Sequence, residues 1–156
     1  MNYTDDEALQ REFFQTIHRF RHNKPWHWTG GLTRGEFFVL NQMHEHLQKH
    51  PKEKGVYVST LVGWMRVSPP AVSRMLRGLE QRGLVERVVD RADRRTTYVV
   101  LTPAGESLRT ETTAWLDSYI QRVVQRMGHE NMEKLLVLWN QLSDIMVDEQ
   151  AKGNKE

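Results

Sequence analysis

The stretch that constrains the fold most spans residues 68–101, where signals for one short helix precede signals for two strands. Ser68 is a typical helix N-cap residue, and the two prolines after it suit a first turn, where a missing N–H costs nothing. Apolar residues then recur at helical spacing until Gly83, which suits a left-handed C-terminal cap. Two β-prone runs, 84–89 and 96–101, flank a polar hexapeptide and predict a β-hairpin with an extended loop.

Helical patterns surround this stretch on both sides. Amphipathic spacing predicts a first helix near residues 5–22, and the pattern Thr33-x-x-Glu36 predicts a capping box that opens a second helix. The other predicted elements are a very short strand over 56–58, a third helix capped by Ser59, a long helix opened by Thr102 and Pro103 and closed by Gly128, a last helix that includes Met132 to Met146, and a frayed tail.

The order of these elements is helix, helix, short strand, helix, turn, helix, hairpin, long helix, helix. It predicts a mainly α fold with a small β-wing, a winged helix-turn-helix with dimerisation helices at both ends. In this fold the helix after the turn enters the DNA major groove, and its N-terminal amides can hold a phosphate. The inner face of that helix is predicted from Val72 to Leu79, which leaves Ser73, Arg74 and Arg77 on its outer or flanking surface.

Positive charge is concentrated in the same region. The net charge of the chain is only +2, but residues 64–100 carry eight arginines, no lysine and four acidic residues. Planar guanidinium groups suit phosphates and base edges. A salt-bridged, solvated surface explains the composition equally well, with Arg82 and Arg87 pairing with Glu80 or Glu86.

Several classes of protein are excluded by composition. The chain has no cysteine, which rules out disulfides and thiol chemistry. The acidic N-terminus does not resemble a secretory signal, and the densest apolar run, 135–139, is too short to span a bilayer. A cytoplasmic protein that is not an enzyme and needs no cofactor is therefore expected. Seven histidines leave a regulatory metal site as an alternative, although no open-site zinc motif is present and no metal ligand is assigned.

Three motifs in this region resemble one known family. They are the stretch Val67 to Arg87, with the sequence VSPPAVSRMLRGLEQRGLVER, the triplet Asp93-Arg94-Arg95, and the segment LTPAG over 101–105. In this order and spacing they are similar to the recognition helix, the wing signature and the start of the long fifth helix of MarR (multiple antibiotic resistance regulator) family proteins. The motif-bearing core covers residues 59–105, and the helical order fits nearly the whole chain.

The resemblance implies a role for each wing residue. Arg95 would enter the minor groove, Asp93 would orient it through a salt bridge, and Arg94 would lie near the DNA backbone. Many relatives carry arginine where this chain has Ala92, so the longer wing pattern is incomplete. The complete predicted DNA-binding set is Ser68, Pro70, Ala71, Ser73, Arg74, Arg77, Asp93, Arg94 and Arg95.

The resemblance also implies a homodimer that binds a pseudo-palindromic site on double-stranded DNA and represses transcription until a small aromatic or anionic effector binds. Residues 1–32 and 103–150 would form the dimerisation region, 33–102 the DNA-binding lobe and 151–156 a flexible tail. The candidate dimer residues are Leu9, Phe13, Leu135, Trp139, Leu142 and Met146, and the candidate effector residues are Trp26, Trp28, Phe37, Trp64 and Trp115.

Each of these sets has a simpler explanation. Aromatic residues at helical spacing more often belong to a core than to a ligand site, and the apolar stripes can pack within one subunit. A winged-helix module that binds protein rather than DNA is a second alternative, against which the wing arginines argue.

Overall fold

The computed structural model describes residues 6–22, 30–90 and 96–153. In chain order its elements are α1 (Asp6–His22), α2 (Arg34–Lys49), β1 (Val56–Tyr57), α3 (Val58–Met65), α4 (Pro69–Gln81), β2 (Val85–Val89), β3 (Thr97–Leu101), α5 (Pro103–Met127) and α6 (His129–Gly153). The predicted mainly α fold with a small β-wing is confirmed.

The three strands form one antiparallel sheet in the order β1-β3-β2. Val99 in the central strand lies opposite Val56 on one side and Arg87 on the other, and its side chain is fully buried. Strands β2 and β3 pair over their whole length, from Val85↔Leu101 to Val89↔Thr97. The predicted hairpin is therefore present, and its tip, residues 91–95, lies outside the described residues.

The core lies between α2, α3, α4 and the inner face of the sheet. Its fully buried side chains are Val39, Leu40, Met43, Val56, Leu61, Val72, Leu76, Leu79 and Val99. Burying one such side chain stabilises the fold by about 1.5–3 kcal/mol relative to leaving it in water. Because α4 supplies three of these side chains from one face, its rotation about its own axis is fixed and its opposite face points to solvent.

The predicted signals for helix ends are mostly confirmed. The Thr33 hydroxyl accepts a hydrogen bond from the Glu36 N–H at 3.2 Å, and the Glu36 carboxylate accepts one from the Thr33 N–H at 2.7 Å, which completes the capping box. Gly83 adopts the left-handed conformation beyond α4, with φ of +67°. Thr102 caps α5, since its hydroxyl accepts a hydrogen bond from the Gly105 N–H at 3.0 Å.

Two predicted side-chain caps are wrong. The N-cap of α3 is Tyr57, because the last strand residue leads directly into the helix and Ser59 already lies within the first turn. Ser68 is the N-cap residue of α4, but its side chain forms no capping hydrogen bond. Its carbonyl oxygen instead accepts hydrogen bonds from the N–H groups of Ala71 and Val72, at 2.9 and 3.2 Å.

The chain divides into two compact units at Thr112 and Thr113, so α5 contributes to both. In the second unit α6 has no buried residue. Its exposed apolar side chains are Leu135, Leu136, Val137, Leu138, Trp139, Ile145, Met146 and Val147. In α1, Leu9 and Phe13 are also exposed. None of the described helices combines the length and the apolar content that crossing a bilayer requires.

Candidate nucleic-acid interface

The solvent face of α4 carries most of the sequence-predicted contact residues. Pro70, Arg74 and Arg77 are exposed, while Ala71 and Ser73 are half-buried at the edges of the inner face. The helix begins with Pro69, after a three-residue connection from α3, and it ends at Gln81. α4 therefore presents two guanidinium groups, separated by about one helical turn, on the side away from the core.

The N-terminus of α4 does not offer the backbone donors that the sequence suggested. Pro69 and Pro70 have no N–H group, and the N–H groups of Ala71 and Val72 are already bonded to the Ser68 carbonyl oxygen. The prediction that first-turn amides hold a phosphate is therefore wrong for this helix. An anion at this end would have to be bound by donors other than the first-turn amides of α4.

The arginines of the region fall into two groups. Arg82 lies 3.4 Å from the Glu36 carboxylate and donates to the Gly30 carbonyl oxygen at 3.3 Å. Arg87 donates to the Ser73 carbonyl oxygen at 3.1 Å. Arg74 and Arg77, by contrast, make no hydrogen bond or ion pair with any residue that the structure describes.

Arg87 joins the wing to α4. Its Nε atom is buried and lies 3.4 Å from Glu80 Oε2, an ion-pair distance without the geometry of a hydrogen bond. The pairing of Arg87 with Glu80 was one of the two explanations that the sequence left open. For Arg82 the partner is Glu36, which lies far away in sequence and was not considered.

The turn between α3 and α4 contains a residue that the sequence prediction missed. Arg66 is exposed and adopts the left-handed conformation, with φ of 51° and ψ of 35°, at the C-terminal cap of α3. Glycine is the usual residue in this conformation, and because none is present, the sequence did not indicate where α3 ends. A basic side chain is thereby placed at the start of the connection between α3 and α4.

The wing is held at its base, within the described residues. The Asp90 N–H donates to the Thr96 carbonyl oxygen at 2.9 Å, and the Tyr57 hydroxyl donates to Asp90 Oδ2 at 3.4 Å. The charge of Asp90 is the largest cause that raises the pKa of Tyr57 above its ordinary value. The predicted wing contacts Asp93, Arg94 and Arg95 lie outside the described residues.

The described candidate effector residues are divided between the two compact units. Phe37 and Trp64 are half-buried and pack against the core of the first unit. Trp115 lies in the second unit and stacks on Tyr119, with ring centroids 5.4 Å apart and an interplanar angle of 13°. Trp26 and Trp28 lie outside the described residues.

Comparison with known proteins agrees with this architecture. The model of the MarR family matches residues 32–97. The YusO protein from Bacillus subtilis has 23% sequence identity and a TM-score of 0.67, over 91% of this chain and 99% of that one. The S. aureus MepR–DNA complex has 22% identity and a TM-score of 0.54, over 84% and 94%. S. aureus MepR bound to ethidium bromide has 24% identity and a TM-score of 0.54, over 93% and 97%.

The matched range contains the capping box of α2, the helix pair α3–α4 and most of the wing. At this level of identity the solved structures establish the fold, and the family model identifies the sequence pattern within it. Residues 32–97 therefore form a winged helix-turn-helix domain of the MarR family.

Proposed function

We propose that this chain is a sequence-specific DNA-binding transcription regulator that places α4 in the major groove. The observation that carries the proposal is the contrast between Arg74 and Arg77, which lack a partner among the described residues, and Arg82 and Arg87, which are paired within the domain. Two unpaired guanidinium groups on a rigid helix can bind phosphates or the O6 and N7 atoms of guanine. That a protein with this fold, S. aureus MepR, has been solved with DNA supports the proposal.

The wing completes the interface in this proposal. Arg95 enters the minor groove next to the major-groove site, Asp93 orients Arg95, and Arg94 lies along the phosphate backbone. A narrow A·T-rich minor groove attracts guanidinium groups through its enhanced negative potential. The described part of the hairpin is bound to α4 through Arg87, which donates to the Ser73 carbonyl oxygen.

A homodimer is part of the proposal. α6 exposes a long apolar surface that includes Leu135, Trp139 and Met146, which are 41%, 45% and 48% exposed in the single chain. Exposed apolar patches of this kind mark interaction surfaces. A two-fold dimer would place two α4 helices about 34–36 Å apart, one turn of DNA, over a pseudo-palindromic operator.

Repression relieved by a small aromatic or anionic effector is the regulatory part of the proposal. The ethidium complex of S. aureus MepR supports ligand binding in this fold. An effector would act by favouring dimers whose recognition helices no longer match the spacing of the operator.

Selection of bound sequences from a random double-stranded DNA pool tests the proposal. We expect enrichment of an inverted repeat with half-site centres about 10 base pairs apart and A·T-rich flanks. Selection with Arg95→Ala should keep the repeat and lose the flanking preference. A pool that stays random after several rounds, or that enriches a single unrepeated site, would contradict the proposed docking.

A further inference from the structure

Three side chains near the end of α2 have the composition of a metal site. His46 and His50 lie one helical turn apart, and Glu53 follows in the loop that leads to β1. Their ligand atoms all lie within 4.8 Å of one another, the one such group within residues 6–22, 30–90 and 96–153. We propose that these three residues bind a divalent transition-metal ion. The site is independent of the proposed DNA interface.

The geometry of the cluster requires little change to accept an ion. His46 Nε2 lies 2.8 Å from Glu53 Oε2, so an ion bound by both groups would replace this direct contact. Ligands of tetrahedral zinc, each about 2.0–2.2 Å from the ion, lie about 3.3–3.6 Å from one another. Separations of up to 4.8 Å would have to shorten by at most about 1.5 Å, and His50 and Glu53 are exposed, so their side chains can move that far without disturbing the core.

The backbone around the cluster fixes its ligands. His50 Nδ1 lies 2.9 Å from the His46 carbonyl oxygen, and a proton on Nδ1 leaves the lone pair of Nε2 for a metal ion. The Glu53 N–H donates to the His50 carbonyl oxygen at 3.0 Å, which closes the turn that returns Glu53 to the helix. Metal-binding histidines commonly donate their other ring N–H to a backbone carbonyl in this way.

The donor set indicates the class of ion. Two imidazoles and one carboxylate favour zinc, nickel or copper over magnesium or calcium, which prefer oxygen ligands. Three protein ligands leave a fourth position for water, as in open zinc sites. Lys49, Lys52 and Lys54 carry positive charge in the same segment, so binding should be weaker than at a closed four-ligand zinc site.

A second histidine pair provides an internal comparison. The rings of His18 and His22 in α1 lie 4.3 Å apart, the same centroid separation as the rings of His46 and His50. No carboxylate joins the α1 pair into a three-ligand group within the described part of the chain. If two neighbouring imidazoles were sufficient to bind the metal ion, both histidine pairs would bind it with equal affinity. The proposal requires the site at His46 to bind the ion more tightly.

Zinc titration of the full chain, stripped of metal and free of any affinity tag, tests the site by calorimetry. We expect one high-affinity zinc ion per chain, with affinity at least about tenfold lower in His50→Gln and in Glu53→Gln. His18→Gln and His129→Gln should bind like the wild type. Unchanged binding in both site variants, loss of binding in His18→Gln, or no binding to the wild type would overturn the proposal.

A second measurement is local to the cluster. The His46 ring lies 5.3 Å from the Trp64 ring, so Cu²⁺ bound there should quench the fluorescence of Trp64. The quenching should disappear in His50→Gln and fall sharply in Trp64→Phe, while Trp64→Phe still binds zinc. Circular dichroism of each metal-free variant checks its folding, and quenching that is equal in the wild type and His50→Gln would place the copper elsewhere.

Discussion

The guanidinium group of Arg109 donates two hydrogen bonds to the Glu106 carboxylate, from Nη2 to Oε1 at 2.7 Å and from Nε to Oε2 at 3.2 Å. His44 Nδ1 lies 3.0 Å from the same carboxylate, and Arg109 Nη1 donates to Asn41 Oδ1 at 3.1 Å. The first turns of α5 are thereby bound to α2. These contacts hold the pKa of Glu106 below its ordinary value, with the hydrogen bonds from Arg109 as the largest cause.

Glu106→Gln should destabilise the protein in a pH-dependent manner. Because the folded state lowers the pKa of Glu106, its carboxylate stabilises the fold above the unfolded-state pKa, and this contribution is lost as the pH falls through the folded-state pKa. We expect a loss of about 1 kcal/mol at neutral pH, since the carboxylate is partly exposed. Thermal unfolding from pH 7 down to about pH 2.5 should show a constant difference above the unfolded-state pKa of about 4.3 and a narrowing difference below it.

Glu111→Gln is the matched control, because Glu111 accepts a hydrogen bond only from Ser107 among its described partners, at 3.0 Å. It should change the melting temperature little at any pH. A deficit in Glu106→Gln that is the same at about pH 2.5 and at pH 7 would show that the charge of Glu106 does not stabilise the fold.

Gly105→Ala should destabilise the fold. Gly105 is buried at the start of α5, and an added Cβ atom would overlap the carbonyl oxygen of Leu84, a backbone atom that cannot rotate away. We expect a cost of about 1–3 kcal/mol in the free energy of unfolding. Gly63→Ala is the control, since its Cβ would meet nothing within 4 Å in a helix, and it should stabilise α3 slightly. Urea denaturation of both variants measures the change in the free energy of unfolding. Equal changes in the two variants would contradict the close approach of Gly105 to the Leu84 carbonyl oxygen.

Arg74→Ala should weaken DNA binding without loss of stability. Arg74 is exposed and has no described partner, so its removal leaves no buried group unsatisfied. If its guanidinium group binds a base, affinity for the selected operator should fall by about 1–3 kcal/mol. If it binds a phosphate, the slope of log affinity against log salt should become shallower by about 0.9.

Arg122→Ala is the control for that experiment, because Arg122 is equally exposed but lies on α5, in the second unit. It should retain wild-type affinity and salt dependence. If Arg74→Ala and Arg122→Ala behave alike across 50–200 mM salt, α4 is not the helix that contacts DNA.

Leu135→Glu should dissociate the proposed dimer. Leu135 belongs to the exposed apolar surface of α6, and burying a carboxylate at a subunit contact carries a large desolvation cost. Lys134→Ala, next to it on the same helix, removes only an exposed ion pair with Glu130 and should leave the dimer intact. Sedimentation velocity at several concentrations distinguishes the two. A wild-type chain that stays monomeric at micromolar concentration would contradict the dimer itself.

Local signals allowed much of the fold to be predicted. Capping residues such as Thr33 and Thr102 accept hydrogen bonds from N–H groups only three residues away, so the sequence alone predicts these caps. Ser59 and Ser68 look the same in sequence, yet neither side chain caps a helix. The strand before α3 moves the N-cap of that helix to Tyr57, and the two prolines after Ser68 remove N–H groups that its side chain could cap.

Long-range pairs were harder to predict. Arg82 pairs with Glu36 across 46 residues, and His44 pairs with Glu106 across 62, so no local pattern indicates either contact. Arg66 was missed because it occupies a conformation that usually favours glycine. Glu53 was missed as a partner of His46 because it lies seven residues further along the chain, in the loop after α2, where no helical spacing indicates the contact.

The Thr102 hydroxyl also donates to the Gly83 carbonyl oxygen at 2.6 Å, and the Thr102 N–H donates to the Leu84 carbonyl oxygen at 3.2 Å. Thr102 therefore fastens the segment that follows α4 to the beginning of α5. A rotation of the first turn of α5 must either break both bonds or carry the end of α4 with it. Through these two hydrogen bonds, a displacement of the start of α5 would change the positions of Arg74 and Arg77 in the proposed DNA interface.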